Sequence, residues 1–276
     1  MSKNYPKIAA IQMASGPNVD ANLLEVEKLT AEAAAAGARL VVLPENFAFL
    51  SKDERELLQI RERDGDGPLQ EFLAQLAKRH AVWLVGGTIP LTAQDPDRAR
   101  AACLILDDQG RRVARYDKIH LFDVHLPETD EHYRESGSIE PGSEAVVVDS
   151  PFGRLGVAIC YDLRFPELFR NMADQGVELI ALPAAFTAVT GKAHWEPLLR
   201  TRAIENLSYV IAAAQGGFHV GGRQTHGQSM LVDPWGTILD QLPKGSGFVI
   251  GELHLDHLAH TRRTFPVLNH RRIHCS

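Results

Sequence analysis

Cysteine is scarce in this 276-residue chain, which holds only Cys103, Cys160 and Cys275. Three sparse thiols in a chain of this length do not make a disulfide framework, and their odd number suits a reducing compartment. Long apolar runs are lacking as well. No stretch approaches the ~18 residues that a membrane-spanning helix needs. The segment Met1–Ala14 carries two lysines and a short apolar run broken by Gln12, too short and too polar for a secretory leader. It reads as a first strand, and the expected compartment is the cytoplasm. There is no basic excess either. With 29 Lys and Arg against 35 Asp and Glu, the net charge is −6, so no broad positive field draws a polyanion, and nucleic acid is not expected as a partner.

Several reactive-loop signatures are also missing. The glycine-rich stretch Gly216–Gly222 is not followed by Lys-Ser/Thr, and no G-x-G-x-x-G follows a strand, so no phosphate cradle is expected. Ser229, in Gly227-Gln228-Ser229-Met230-Leu231, lacks the second glycine of a serine-hydrolase elbow. There is no H-E-x-x-H. Of the twelve histidines, His254, His257 and His260 are spaced to share a broad helix face. Without closer convergence and supporting partners they read as a solvated face, and His120 and His125 read as polar contacts. No metal and no cofactor is expected.

What is present is an ordinary globular composition, 45% hydrophobic and 23% charged, arranged as short β-branched runs between longer helical patterns. Strands are expected at Lys7–Met13, Leu40–Leu43, Val82–Gly86, Ala145–Val148, Leu155–Cys160, Leu179–Leu182 and Tyr209–Ala214. Helices are expected at Asp20–Ala36, Leu69–His80, Pro166–Gln175 and Ala193–Asn206. Ala101–Leu106 and Arg112–Tyr116 make a hairpin, and Asp123–Gly142 reads as a loop. Met230–Val232, Ile238–Leu239 and Phe248–Leu253 read as further hairpin strands, with a turn at Asp233-Pro234-Trp235-Gly236. The absence of a linker or repeat leaves one α/β domain over residues 1–276.

Three segments each bring a reactive group to the end of an apolar strand. In Leu40-Val41-Val42-Leu43-Pro44-Glu45 a carboxylate is fixed past a buried strand, where partial desolvation favours a general base; a surface glutamate is the alternative. Lys118, in Arg115-Tyr116-Asp117-Lys118-Ile119-His120-Leu121-Phe122, enters an apolar stretch and can stabilise an oxyanion or serve structure alone. Cys160 follows the run Arg154–Ile159 and precedes Tyr161-Asp162-Leu163-Arg164-Phe165-Pro166-Glu167. It is either a nucleophile at the carboxyl end of a strand or a small buried hydrophobe.

Taken in order, Leu43-Pro44-Glu45, Tyr116-Asp117-Lys118-Ile119-His120-Leu121 and Cys160–Glu167 resemble the nitrilase superfamily of carbon–nitrogen hydrolases, over about Ile8 to His270. The resemblance implies an α/β fold built as a four-layer α-β-β-α sandwich that pairs into homodimers or larger homo-oligomers. It implies that Glu45 takes the thiol proton, that Cys160 attacks an amide carbon, and that Lys118 and the Tyr161 N–H hold the oxyanion. Glu45 then serves the leaving amine and the hydrolytic water. A second glutamate of the family matches Glu135 in Tyr133-Arg134-Glu135-Ser136, with Glu131 and Glu128 as alternatives. Leu121–Val124, Gly191–Glu196, Met230–Gly236 and Pro266–Arg272 resemble the Nit branch of amidases. The last two, with Ala212–Gln215, are similar to its deaminated-glutathione amidase group rather than to its ω-amidases.

The implied substrate is therefore a small amide, deaminated glutathione, giving 2-oxoglutarate and cysteinylglycine. The alternatives are an ω-amide or carbamoyl compound, or a binding protein without catalysis. Gln228 stands where these relatives more often have His. Arg164 is the candidate cation for a 2-oxo-acid carboxylate, unless an acidic neighbour claims it. Phe186, Thr187 and Thr190 are candidates for the acyl pocket.

Overall fold

The computed structural model describes residues 5–127 and 130–273. Glu128 and Cys275 lie outside the described residues. In chain order the first sheet is laid down by β1 (Lys7–Gln12), β2 (Ala38–Val42), β3 (Trp83–Val85), β4 (Ile89–Thr92), β5 (Ala99–Leu106) and β6 (Arg112–Asp117). A separate hairpin follows, β7 (Asp123–Leu126) with β8 (Glu131–Arg134). The second sheet uses β9 (Val147–Ser150), β10 (Gly153–Val157), β11 (Leu179–Ala184) and β12 (Tyr209–Ala214). After a small hairpin, β13 (Gly216–Phe218) and β14 (Gln224–His226), it is completed by β15 (Met230–Val232) and β16 (Ile238–Gln241). β17 (Gly247–Glu252) then crosses back to pair antiparallel with β1. The strand orders are β17-β1-β2-β3-β5-β4, with β6 on β5, and β16-β15-β12-β11-β10-β9.

Alternation along β1 explains the layering. Ile8 and Ala10 pack in one core cluster with Val157, Leu182, Ile211 and Ala213 of the second sheet. Ala9 and Ile11 point the other way, into a second cluster with Val26 and Leu29 of α1 (Val19–Ala35) and Leu73 and Leu76 of α2 (Pro68–His80). A period of two thus gives each strand one face toward a helix layer and one toward the partner sheet. The far face of the second sheet is covered by α3 (Pro166–Asp174) and α4 (Ala188–Asn206), through residues such as Phe169, Met172, Leu199 and Ala203. The result is the expected α-β-β-α sandwich. A short α5 (Leu255–Thr264) follows β17. Among the described residues, no helix is long and apolar enough to cross a membrane.

Two expectations need correction. Asp123–Gly142 is not a plain loop, since it contains the β7–β8 hairpin and a turn of 3₁₀ helix at Glu135–Gly137. Its strands are only four residues each and β8 (Glu131-His132-Tyr133-Arg134) carries a single apolar side chain, so the alternation of β7 is too short to mark a strand on its own. The strand at Phe248–Leu253 does not extend the β15–β16 hairpin. It is an edge strand of the first sheet, paired with β1, with Phe248 and Ile250 packed toward that sheet's helices and Val249 in the inter-sheet core.

Candidate active site

Glu45, Lys118 and Cys160 lie just past the carboxyl ends of β2, β6 and β10, of which β6 is an edge strand paired only with β5. After β2, Leu43 still donates to the Val85 carbonyl, and the chain then turns at Asn46, which has φ 56°. The Asn46 N–H donates to Thr88 Oγ1 at 2.8 Å, and the Glu45 carbonyl accepts from Gln215 Nε2 at 3.0 Å. Gly87, at φ 52°, packs so closely that a Cβ there would lie 2.2 Å from the Pro44 carbonyl oxygen. Only glycine fits. Lys118 follows β6, its N–H donating to Ala101 and its carbonyl accepting from Gly142.

Cys160 opens a 3₁₀ turn, Cys160–Arg164, three residues beyond the end of β10. Its φ is 49°, a left-handed conformation unusual for a residue with a Cβ. Asp162 secures the strained turn. Fully buried, it accepts from Ile159 N–H at 2.8 Å, Tyr116 Oη at 2.6 Å and His120 N–H at 3.0 Å, and lies 2.7 Å from His120 Nδ1. The His120 ring stacks on Phe165, centroids 3.7 Å apart. Tyr116 and His120 flank Lys118 by two residues on either side, so one carboxylate locks the cysteine turn to the lysine segment. His120 is thus the polar contact expected from the sequence, and its partner is Asp162, which no motif singles out.

Glu45, Lys118, Glu135 and Cys160 meet in a cleft of about 780 Å³. Lys118 Nζ donates to Glu45 Oε1 at 2.8 Å and to Glu135 Oε1 and Oε2 at 2.7 and 2.9 Å. Glu135 Oε2 also accepts from the Phe122 N–H at 2.6 Å. Among the alternatives for this second carboxylate, Glu131 turns instead to the Tyr133 hydroxyl. The Cys160 sulfur contacts the Glu45 carboxylate and the Ala185 N–H.

The electrostatics follow from burial and pairing. Lys118 is 2% exposed. Burial alone would depress its ammonium, but Glu135 and Glu45 overcome this and hold it well above the ordinary lysine range. Burial, helped by the Glu45 charge and opposed by Lys118, pushes the Glu135 carboxyl up. Burial and the Glu45 charge together push the Cys160 thiol well above the usual range, against Lys118 and the Ala185 N–H. The resting site is a neutral thiol beside a clamped cation and two carboxylates. Such a thiol needs a base at the moment it attacks.

Tyr161, Arg164, Phe186, Thr187 and Thr190 all line the cleft. Arg164 has no acidic partner among the described residues. Its guanidinium lies over Tyr161 and Phe186, at 5.7 and 5.1 Å, and contacts His194 Nδ1 at 3.1 Å. The Thr187 hydroxyl caps α4 through Thr190 N–H. Sequence reading missed Arg223 and Glu54, which also line the cleft. Arg223 lies over Tyr133 with Nη1 3.9 Å from Glu54, and its buried Nε has no hydrogen-bond partner among the described residues. Both sit on segments without apolar periodicity, so nothing in the pattern marked them.

Gln228 does not line the cleft. Its carbonyl accepts from Trp195 Nε1 at 2.7 Å and its side chain from Gln241 at 3.0 Å, so it tethers α4 to the second sheet. His254, His257 and His260 do not converge, since they face Glu252, Asp233 and Arg263 respectively.

The carbon–nitrogen hydrolase family model matches residues 7–263. The deaminated glutathione amidase of Yersinia enterocolitica is 43% identical over 266 residues, covering 96% of this chain and 92% of that protein. The crystal structure of the C. elegans NitFhit protein superposes with a TM-score of 0.90 at 37% identity; it covers 99% of this chain, which spans 66% of that one. Nit3 of Saccharomyces cerevisiae, a member of branch 10 of the nitrilase superfamily, superposes with a TM-score of 0.87 at 30% identity over 98% of both chains.

Proposed function

The chain belongs to the carbon–nitrogen hydrolase family of the nitrilase superfamily, and on that footing we propose that it is an amidase that cleaves deaminated glutathione to 2-oxoglutarate and cysteinylglycine. Cys160 is the proposed nucleophile. The observation that carries the mechanism is the Lys118 ammonium fixed between Glu45 and Glu135 beside a thiol that burial keeps protonated.

In the proposed sequence, Glu45 takes the thiol proton as the sulfur adds to the amide carbon. Lys118 and the Tyr161 N–H receive the developing oxyanion. As the C–N bond breaks, the proton on Glu45 passes to the leaving amine, and a thioester is left on Cys160. Glu45 next takes a proton from water as it attacks the thioester, then returns that proton to the sulfur as the acid departs. Glu135 keeps Lys118 charged and aimed. Its second oxygen is tied to the Phe122 N–H, so the clamp is anchored in backbone. The proposed unit is the whole 1–276 chain acting in the cytoplasm, as a homodimer or larger homo-oligomer.

Two arginines support the substrate. Deaminated glutathione carries a carboxylate on each side of the scissile amide, whereas an ω-amide of a 2-oxo acid carries only one. Arg164, beside the cysteine turn, suits the 2-oxo-acid end. Arg223, with its unpartnered Nε, suits the glycine carboxylate of the leaving group. Parallel assays of deaminated glutathione and 2-oxoglutaramate test this. Losing one charged hydrogen bond costs about 1.5–3 kcal/mol, or about 10–150-fold. Arg164→Leu should raise KM for both substrates by that factor, and Arg223→Leu for deaminated glutathione alone. Preference for 2-oxoglutaramate, or equal effects of Arg223→Leu on both, overturns the assignment.

A further inference from the structure

The β7–β8 hairpin holds a side-chain cluster that the hydrolytic site does not use. His125 and His132 are directly opposed across its two strands. Their rings lie parallel, with centroids 4.0 Å apart and planes inclined by 5°. Asp130, in a left-handed conformation with φ 52°, brings Oδ1 3.5 Å from His125 Nε2 and 3.4 Å from His132 Nε2. All three side chains are exposed, so core packing does not dictate this arrangement.

The distances are informative. Both exceed the roughly 2.7–3.2 Å of a good N–H···O hydrogen bond. They are close to the edge of a coordination tetrahedron, in which ligand atoms about 2.0–2.1 Å from one zinc ion stand about 3.3 Å apart, and the two exposed rings would turn out of their parallel stack to aim both lone pairs at one ion. One ligand atom from each of the three residues lies within 4.8 Å of the others. Two imidazoles and one carboxylate suit zinc, nickel or copper, whereas calcium and magnesium favour all-oxygen sites.

We propose that the hairpin binds one divalent transition-metal ion of the zinc class through His125 Nε2, His132 Nε2 and an Asp130 oxygen, with water completing the shell. The position gives the ion a structural consequence. Immediately outside the hairpin are Phe122 and Glu135, joined by the Phe122 N–H to Glu135 Oε2 bond, and the Ser136 N–H donates to Asp123 Oδ1. An ion bridging the strands staples the wall that carries the Glu135 clamp.

The test uses untagged, chelator-treated full chain carrying Cys160→Ala, which removes the cleft thiol as a competing ligand. Titration with zinc chloride by calorimetry should show one equivalent bound. Cobalt(II) in its place should give the visible absorption of a tetrahedral site. His125→Ala and His132→Ala should each weaken zinc binding by at least about tenfold, and Asp130→Asn by less, with circular dichroism unchanged because the side chains are exposed. No zinc binding, or binding that survives the combined His125→Ala and His132→Ala changes, overturns the site. Neither outcome bears on the proposed amidase activity, which is assayed separately in the protein with Cys160 intact.

Discussion

Tyr116 and Asp162 stand 46 positions apart in the chain, and the Tyr116 hydroxyl donates a 2.6 Å hydrogen bond to the Asp162 carboxylate. The same carboxylate gathers the N–H groups of Ile159 and His120 and the His120 ring. It is therefore the joint between the turn that presents Cys160 and the segment that presents Lys118. Its partners are donors, and burial pushes the Tyr116 phenol well above its usual range, with the Asp162 charge acting in the same direction.

Asp162→Asn tests that joint. An amide would turn an NH₂ group toward donors and leave at least one buried group unpaired, an expected loss of about 3–5 kcal/mol. The two turns would also drift. A misplacement of about 1 Å costs on the order of 100-fold in turnover, so kcat should fall by about that factor while KM changes little. Calorimetric unfolding and steady-state kinetics read the two effects separately. A stable variant with near-normal kcat would show that Asp162 does not position the site.

Lys118→Met should reveal the two carboxylates that the ammonium now separates. Burial and the Glu45 charge already raise the Glu135 carboxyl, and Lys118 opposes them. A carboxylate whose folded pKa lies above its unfolded value binds its proton more tightly in the folded state. Stability is then full below the unfolded value and lost as pH rises through the folded one. The wild-type lysine, raised by its partners, contributes stability until the pH exceeds the ordinary lysine range. The variant should therefore trail the wild type by about 3–5 kcal/mol near neutral pH. The gap should narrow as the medium is acidified toward the carboxyl range. Thermal or urea melts across that range provide the measurement, and a gap independent of pH would contradict the clamp.

The fold was largely legible because its central strands alternate. Ile8 and Ala10 against Ala9 and Ile11 already imply a sheet buried on both faces. The site was legible because Glu45 and Cys160 follow buried strands and Lys118, Glu45 and Cys160 each fall in a recognisable motif. What escaped notice lacked periodicity or depended on distance in the chain. Nothing local to Asp162 marks its role, since its partners Tyr116 and His120 lie 46 and 42 positions away, on β6 and just after it. The strands of the β7–β8 hairpin are four residues each, too short for their alternation to stand out, so the cross-strand meeting of His125 and His132 could not be read from the spacing. Arg223 was hidden in a glycine-rich segment for the same reason.

The Cys160 thiol provides the sharpest electrostatic test. Burial and the Glu45 charge hold it protonated, and Lys118 compensates only in part. A free cysteine has a pKa of about 8.5, so alkylation of Cys160 by iodoacetamide should be slower than that of free cysteine near neutral pH and should still be rising above about pH 9. Cys103, also buried and pushed far up, should stay unlabelled. Peptide mapping assigns the adduct. Glu45→Gln removes the charge that opposes the thiolate and leaves Lys118 in place, so the labelling profile should move to lower pH while amide turnover is lost. That opposition of effects identifies Glu45 as a base used during attack rather than a partner of a standing ion pair. A wild-type profile already level at neutral pH would mean a resting thiolate, and with it no need for Glu45 to take the proton.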